Sequence, residues 1–144
     1  MDCKTVIITA GTSQLGLEMV KYFANNNWKV CATTRSITEK ESMKISHPNV
    51  TYYQMDLEDN ESISAVINKI VSGQNTIDLL INNAGFVLSG PFENFSDEQI
   101  MRQMNVNFFG TIFTIKKLLP KFKQQSGGTI INISSLCGVI TFPM

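Results

Sequence analysis

The sequence is short of the residues that metal sites and extracellular scaffolds need. It has one histidine, His47, set before Pro48, and three cysteines, Cys3, Cys31 and Cys137, which are scattered and odd in number. No zinc-ligand spacing and no disulfide framework can be drawn from these, which fits packing thiols in a reducing, cytoplasmic setting. An excess of one charge is also missing. Twelve basic and twelve acidic residues give zero formal net charge, so the electrostatic footprint of a nucleic-acid or polyanion partner is absent. Long hydrophobic runs are lacking too. The N-terminal apolar run is too short for a signal sequence, and no stretch reaches bilayer length, so neither an export leader nor a membrane role is expected. With no repeats, linker or low-complexity tract, the 144 residues are expected to form one domain, 1–144, large enough for a true core.

The most organised stretch runs from Val6 to Leu17. Val6, Ile7 and Ile8 form a short β-branched run suited to a parallel strand buried on both faces. Small residues follow from Thr9 to Ser13, and a helix opens near Leu15. A strand, a small-residue turn and a helix together make the geometry that holds a dinucleotide pyrophosphate. Backbone N–H groups and the helix dipole favour the anion, and small residues permit close approach. Against G-x-G-x-x-G, Gly11 and Gly16 fit and Ser13 holds the middle place. On these residues alone, an ordinary strand-to-helix turn is an equal reading.

The remaining chain alternates strands and helices. The first strand covers 4–9 and the first helix 15–26, with Leu15, Met19, Val20, Phe23 and Ala24 as its buried stripe. Asn25-Asn26-Asn27 is the stop, since asparagine tolerates the left-handed conformation. The second strand, 29–34, ends at Arg35-Ser36 with no carboxylate before Glu39. A polar helix or loop spans 37–48, and the third strand, 50–54, leads to Asp56-Leu57. Asp59 caps a helix whose stripe is Ile63, Val66, Ile67 and Ile70, ended by Gly73. The fourth strand, 77–81, runs into Asn82-Asn83-Ala84-Gly85. Ser96 and Gln99 form a capping box, opening a long helix that closes near Lys123. The fifth strand, 129–133, reads as fully apolar and leads to Ser134-Ser135. Five strands alternating with helices give an α/β class, a doubly wound parallel sheet.

The strand-end motifs, taken with Asp56 and Asn107, resemble the short-chain dehydrogenase/reductase family from residue 4 onward. Asn82-Asn83-Ala84-Gly85 after the fourth strand carries most of the likeness. Ile131-Asn132-Ile133-Ser134-Ser135-Leu136-Cys137-Gly138 and Asn105-Val106-Asn107-Phe108-Phe109-Gly110 add to it. The resemblance implies a Rossmann-like sheet of five strands ordered 3-2-1-4-5, truncated relative to the complete family fold. It implies hydride transfer between a nicotinamide cofactor and a small carbonyl or alcohol substrate. Thr9, Gly11, Thr12, Ser13, Gln14, Leu15 and Gly16 would form the phosphate turn. Asp56 and Leu57 would meet adenine, and Asn83, Ala84 and Gly85 would lie along the adenosine ribose. Arg35, able to fork onto a 2′-phosphate, and Ser36 imply NADP rather than NAD. In the family turn, T-G-x-x-x-G-x-G, Ala10 and Gln14 replace glycines. Ala10 is the smaller change. Gln14 is expected to crowd the phosphates and to need a positive φ.

Of the family's catalytic Asn, Ser, Tyr and Lys, the resemblance assigns Asn107 and Ser135. No Tyr-x-x-x-Lys exists in the sequence, because Tyr22, Tyr52 and Tyr53 are followed four residues later by Asn26, Asp56 and Leu57. The chain is therefore expected to be inactive alone. Three readings stay open: the cofactor half of an oxidoreductase, a non-catalytic NADP-binding module, or an interaction protein that docks on a complete homologue. The apolar helix 105–123 and the strand 129–133 are expected to drive self-association or pairing.

Overall fold

The computed structural model describes residues 3–36 and 46–140. Most of the polar segment at 37–48, and Glu39 with it, lies outside the described residues. Five parallel strands form one sheet: β1 (Thr5–Ile8), β2 (Lys29–Thr34), β3 (Val50–Gln54), β4 (Leu79–Asn82) and β5 (Thr129–Asn132). Their order is β3-β2-β1-β4-β5, as the resemblance implied. The helices are α1 (Gln14–Asn25), α2 (Asn60–Gly73), α3 (Asp97–Met104) and α4 (Gly110–Gln124). A π-helical turn, Asn105–Phe109, joins α3 to α4.

The pleat sorts successive strand residues onto opposite faces. Val6 and Ile8 of β1 pack with Val20 and Ala24 of α1 and with Val30, Ala32 and Ile81. Ile7 points the other way, among Cys31, Ile63, Ile67, Ile70, Leu80, Leu118 and Phe122. Each fully buried aliphatic side chain contributes about 1.5–3 kcal/mol relative to exposure. The stripe read for α2 is the buried one, and Asp59 caps that helix through its side chain, which accepts from Glu61 N. The Ser96–Gln99 capping box is present in both directions. Asn27 stands at φ 61° after α1, as a left-handed stop requires.

Three expectations change. Leu15 is 52% exposed, and Gly16 takes the buried place in the first turn of α1. That turn stands at the end of the sheet, so only its glycine face meets protein. β4 starts later than expected because the Gln125 carboxamide occupies the Ile77 backbone: Ile77 N–H donates to Oε1 at 3.2 Å, and Nε2 donates to the Ile77 carbonyl at 2.6 Å. β5 is not buried on both faces. Thr129, Ile131 and Asn132 are exposed; among the described residues β5 is an edge strand with β4 alone beside it.

Candidate functional site

In this strand order the chain leaves β1 toward the face of α1, while α2 and α4 pack together on the other. Such a switch opens a crevice at the carboxyl ends of the strands. A cleft of about 340 Å³ lies there. Ala10, Thr12 and Ser13 line it from the first turn, residues 33–36 from the end of β2, and residues 55–58 from the segment after β3. Ala84, Gly85 and Phe86 line it after β4, and Val106 reaches it from the π-turn.

The first turn is built from local bonds. Ser13 is the N-cap of α1, with Oγ accepting from Gly16 N–H at 3.1 Å. Ser13 N–H donates to the Ala10 carbonyl at 3.0 Å, and Gly11 N–H donates to the Thr33 carbonyl at 2.8 Å. A Cβ on Gly16 would overlap the Ala10 carbonyl oxygen and come within 3.0 Å of Gly11 Cα. Only glycine lets the helix start this close. The first turn of α1 holds no acidic residue, so the positive end of its dipole faces the cleft uncompensated. The left-handed residue is Ala10, at φ 50°; Gln14 does not need a positive φ. Gln14 is the first helical residue, because the extended Ser13 cap has already redirected the chain. The reversal out of β1 occurs four residues earlier, at Ala10, which makes the alanine the costlier of the two glycine replacements.

Thr9 and Asn83 tie this turn to β4. Thr9 Oγ1 accepts from Asn83 N–H at 2.9 Å and from Ala84 N–H at 3.0 Å. Asn83 Nδ2 lies 3.1 Å from the Thr9 carbonyl oxygen, 3.3 Å from that of Ala10 and 3.1 Å from Ser13 Oγ. The Asn83 carboxamide therefore braces the turn. Asn82 Nδ2 donates to Asn132 Oδ1 at 2.8 Å across β4 and β5. After β3, Asp56 N–H donates to Ser62 Oγ at 3.0 Å, and Asp56 Oδ1 accepts from Glu58 N–H at 2.9 Å, which fixes the carboxylate. Gly110 lets α4 approach this segment, since a Cβ there would meet Leu57 Cβ at 2.8 Å.

The two residues assigned to catalysis lie outside the cleft lining. Asn107, on the π-turn, clamps the Phe86 backbone: Oδ1 accepts from Phe86 N–H at 3.0 Å and Nδ2 donates to the Phe86 carbonyl at 2.7 Å. Both ends of its carboxamide are engaged. Ser135 caps the short turn Leu136–Gly138, with Oγ accepting from Cys137 N–H at 3.2 Å. Of the other site residues, Thr12, Ser13, Arg35, Ser36, Asp56, Leu57, Ala84 and Gly85 converge on the cleft. Thr9, Gly11, Gly16 and Asn83 frame it, while Gln14 and Leu15 face outward. Sequence reasoning missed Ala10, Thr33, Thr34, Met55, Glu58, Phe86 and Val106 as lining residues. Thr33, Thr34 and Met55 stand at a strand's carboxyl end, while Glu58 and Phe86 lie four residues past one. At the rim, Arg102 pairs with Glu58 at 2.9 Å and lies 5.6 Å from the Phe86 ring centre.

A family model described as short chain dehydrogenase matches residues 4–144. The chain belongs to this family. Among its relatives, it is 32% identical over 140 residues to an uncharacterised oxidoreductase of Schizosaccharomyces pombe, covering 96% of this chain and 47% of that protein. It is 32% identical over 143 residues to 3-ketodihydrosphingosine reductase of Bacteroides thetaiotaomicron, covering 99% and 51%. A solved structure described as ElxO with NADP bound superposes with a TM-score of 0.90 at 33% identity, covering 99% of this chain and 59% of that one. The chain thus spans about half the length of the curated family members it matches.

Proposed function

We propose that residues 1–144 act as the dinucleotide-binding unit of an NADP-dependent short-chain oxidoreductase whose substrate is a small carbonyl or alcohol compound. The observation that carries this reading is the pairing of a glycine-built, dipole-facing turn with Arg35 and Ser36 on the same cleft. The cradle fits a pyrophosphate because the Gly16 position excludes a side chain. The turn backbone at Thr12, with the Ser13 hydroxyl, would hold the phosphates, Asp56 and Leu57 the adenine, and Ala84 and Gly85 the ribose. Arg35 and Ser36 would take the 2′-phosphate, with NAD bound less well. The bound cofactor supplies the hydride; Asn107 holds the strand-end loop in shape, and Ser135 is the hydroxyl for orienting a substrate oxygen. The likeness to a structure described as NADP-bound supports this choice. The three free cysteines agree with a cytoplasmic setting.

The 144-residue chain is not expected to turn over substrate alone. Burial pushes the Tyr52 and Tyr53 hydroxyls above their ordinary pKa, with the Cys31 thiol adding to the effect at Tyr53. Both sit on β3, at the edge of the sheet opposite β5 and Ser135. Four strand spacings separate the two edges, about 19 Å. Neither tyrosine can serve as the proton donor beside Ser135. Titration with NADPH and NADH tests the reading: the native chain should prefer NADPH, and Arg35→Ala should lose the preference. Equal affinities in the native chain would refute it. Carbonyl or alcohol turnover that disappears in Ser135→Ala would refute the inactivity.

The same reading includes self-association. Phe108, Phe109, Ile112 and Leu119 are exposed along the π-turn and α4, and Ile131 and Ile133 along and just past β5. An uncovered edge strand beside an apolar helix face favours pairing with a second copy. Sedimentation at tens of micromolar should show a species larger than the monomer; a clean, cooperatively folding monomer would refute it.

A further inference from the structure

The end of β2 carries a relay of hydroxyl groups on which the NADP reading does not draw. Thr34 is buried, and its Oγ1 lies 3.0 Å from the Ser36 carbonyl oxygen. A carbonyl only accepts, so the single hydroxyl proton of Thr34 is engaged there. Thr12 Oγ1 lies 2.9 Å from Thr34 Oγ1. With the Thr34 proton committed, Thr12 must be the donor in that pair. Donation therefore runs from the first turn, through Thr34, to the Ser36 carbonyl.

The backbone around this relay is fixed as well. The Thr33 carbonyl accepts from Gly11 N–H, and the Thr34 carbonyl accepts from Met55 N–H, both at 2.8 Å. Arg35 is the single residue enclosed by the bond from Thr34 to Ser36, and both Arg35 and Ser36 are exposed on the cleft. A guanidinium fork recognises phosphate through geometry, and a long exposed side chain on a loose turn loses that geometry. Thr34 has no proton left to give a phosphate, so any contribution it makes passes through the turn.

We propose that Thr34 is a positioning residue for cofactor choice: its hydroxyl closes the turn that presents Arg35 and Ser36 to the 2′-phosphate of NADP(H). The proposal rests on the NADP reading above. It makes Thr34 specific to the phosphorylated dinucleotide, because NADH lacks the group that the turn serves.

Dissociation constants for NADPH and NADH, measured on the full chain by fluorescence titration, test it. Thr34→Val should weaken NADPH about fivefold, the factor that one ordinary hydrogen bond is worth, and leave NADH within about twofold of native. Thr34→Ser, which keeps the hydroxyl, should restore the native ratio. If the valine variant fails to fold by circular dichroism, Thr34→Ala gives the same comparison. Equal weakening of both cofactors would overturn the proposal, since that is what a merely structural role produces. An unchanged NADPH-to-NADH ratio would overturn it too. If the native chain shows no NADPH preference, or Arg35→Ala leaves the preference intact, the NADP reading itself falls and takes this inference with it. A preference lost in Arg35→Ala but kept in the Thr34 variants removes this inference alone.

Discussion

Replacing Ala10 by glycine should stabilise the chain, which is opposite to the usual effect of adding a glycine. Ala10 is held at φ 50°, where the Cβ of an L-residue crowds the following carbonyl at a cost of roughly 1–2 kcal/mol. Glycine relieves that strain but widens the unfolded ensemble, which returns about 0.4–1 kcal/mol. The half-buried methyl group adds a small packing loss. The balance favours Ala10→Gly by about 0.5–1 kcal/mol. In urea, with a slope of about 2 kcal/mol/M, the midpoint should rise by roughly 0.3–0.5 M with the slope unchanged. The melting temperature should rise by about 1–4 °C. Asn27, at φ 61°, supplies the control. Asparagine already tolerates this region, so Asn27→Gly should gain much less. A lower urea midpoint for Ala10→Gly, or an equal gain at both positions, would refute the placement of strain at Ala10.

Further outcomes follow from other contacts. Thr9→Val should cost about 2–4 kcal/mol in chemical denaturation, because it leaves the Asn83 and Ala84 N–H groups without their shared acceptor; Thr9→Ser should recover most of that, and a neutral valine variant would count against the brace. Gln14→Gly should leave the NADPH dissociation constant unchanged in titration, because Gln14 is exposed and does not line the cleft, while costing up to about 1 kcal/mol in helix propensity; tighter binding would refute that placement. Burial pushes the Cys31 thiol up to about 11 from its ordinary 9.0, although its hydrogen bond with Tyr53 and the Lys29 charge pull the other way. The unfolded chain therefore ionises first as pH rises. Stability present below pH ~9 should fall through pH ~11, by roughly 2–3 kcal/mol. Cys31→Ala should flatten that slope in denaturation measured across the same range, and an unchanged slope would reject the assignment. A thiol reagent at neutral pH should modify the exposed Cys3 and Cys137 at once and Cys31 only on unfolding.

Much of the fold was legible because its signals are local. The β-branched run at Val6–Ile8, the stripe Ile63–Val66–Ile67–Ile70, the Ser96–Gln99 box and the asparagine stop after α1 each depend on neighbours within a turn or two. Each appears in the structure in its expected role. The strand order came from resemblance rather than from any local pattern. The site was legible as a set of strand ends, and half of the expected residues line one cleft.

What the sequence determined by itself is therefore the identity of the elements and the chemistry at the ends of the strands. Only the tertiary structure decided how that chemistry is used. It placed the left-handed turn at Ala10, exposed Leu15, and spent the Asn83 and Asn107 carboxamides on bracing and clamping backbone. It also joined Thr12 to Thr34 and left β5 at an open edge. These outcomes depend on partners far apart in the chain, as when Thr9 meets Asn83. A hydroxyl or carboxamide carries the same donors and acceptors wherever it stands, and only the folded neighbours decide which of them remain free for a ligand.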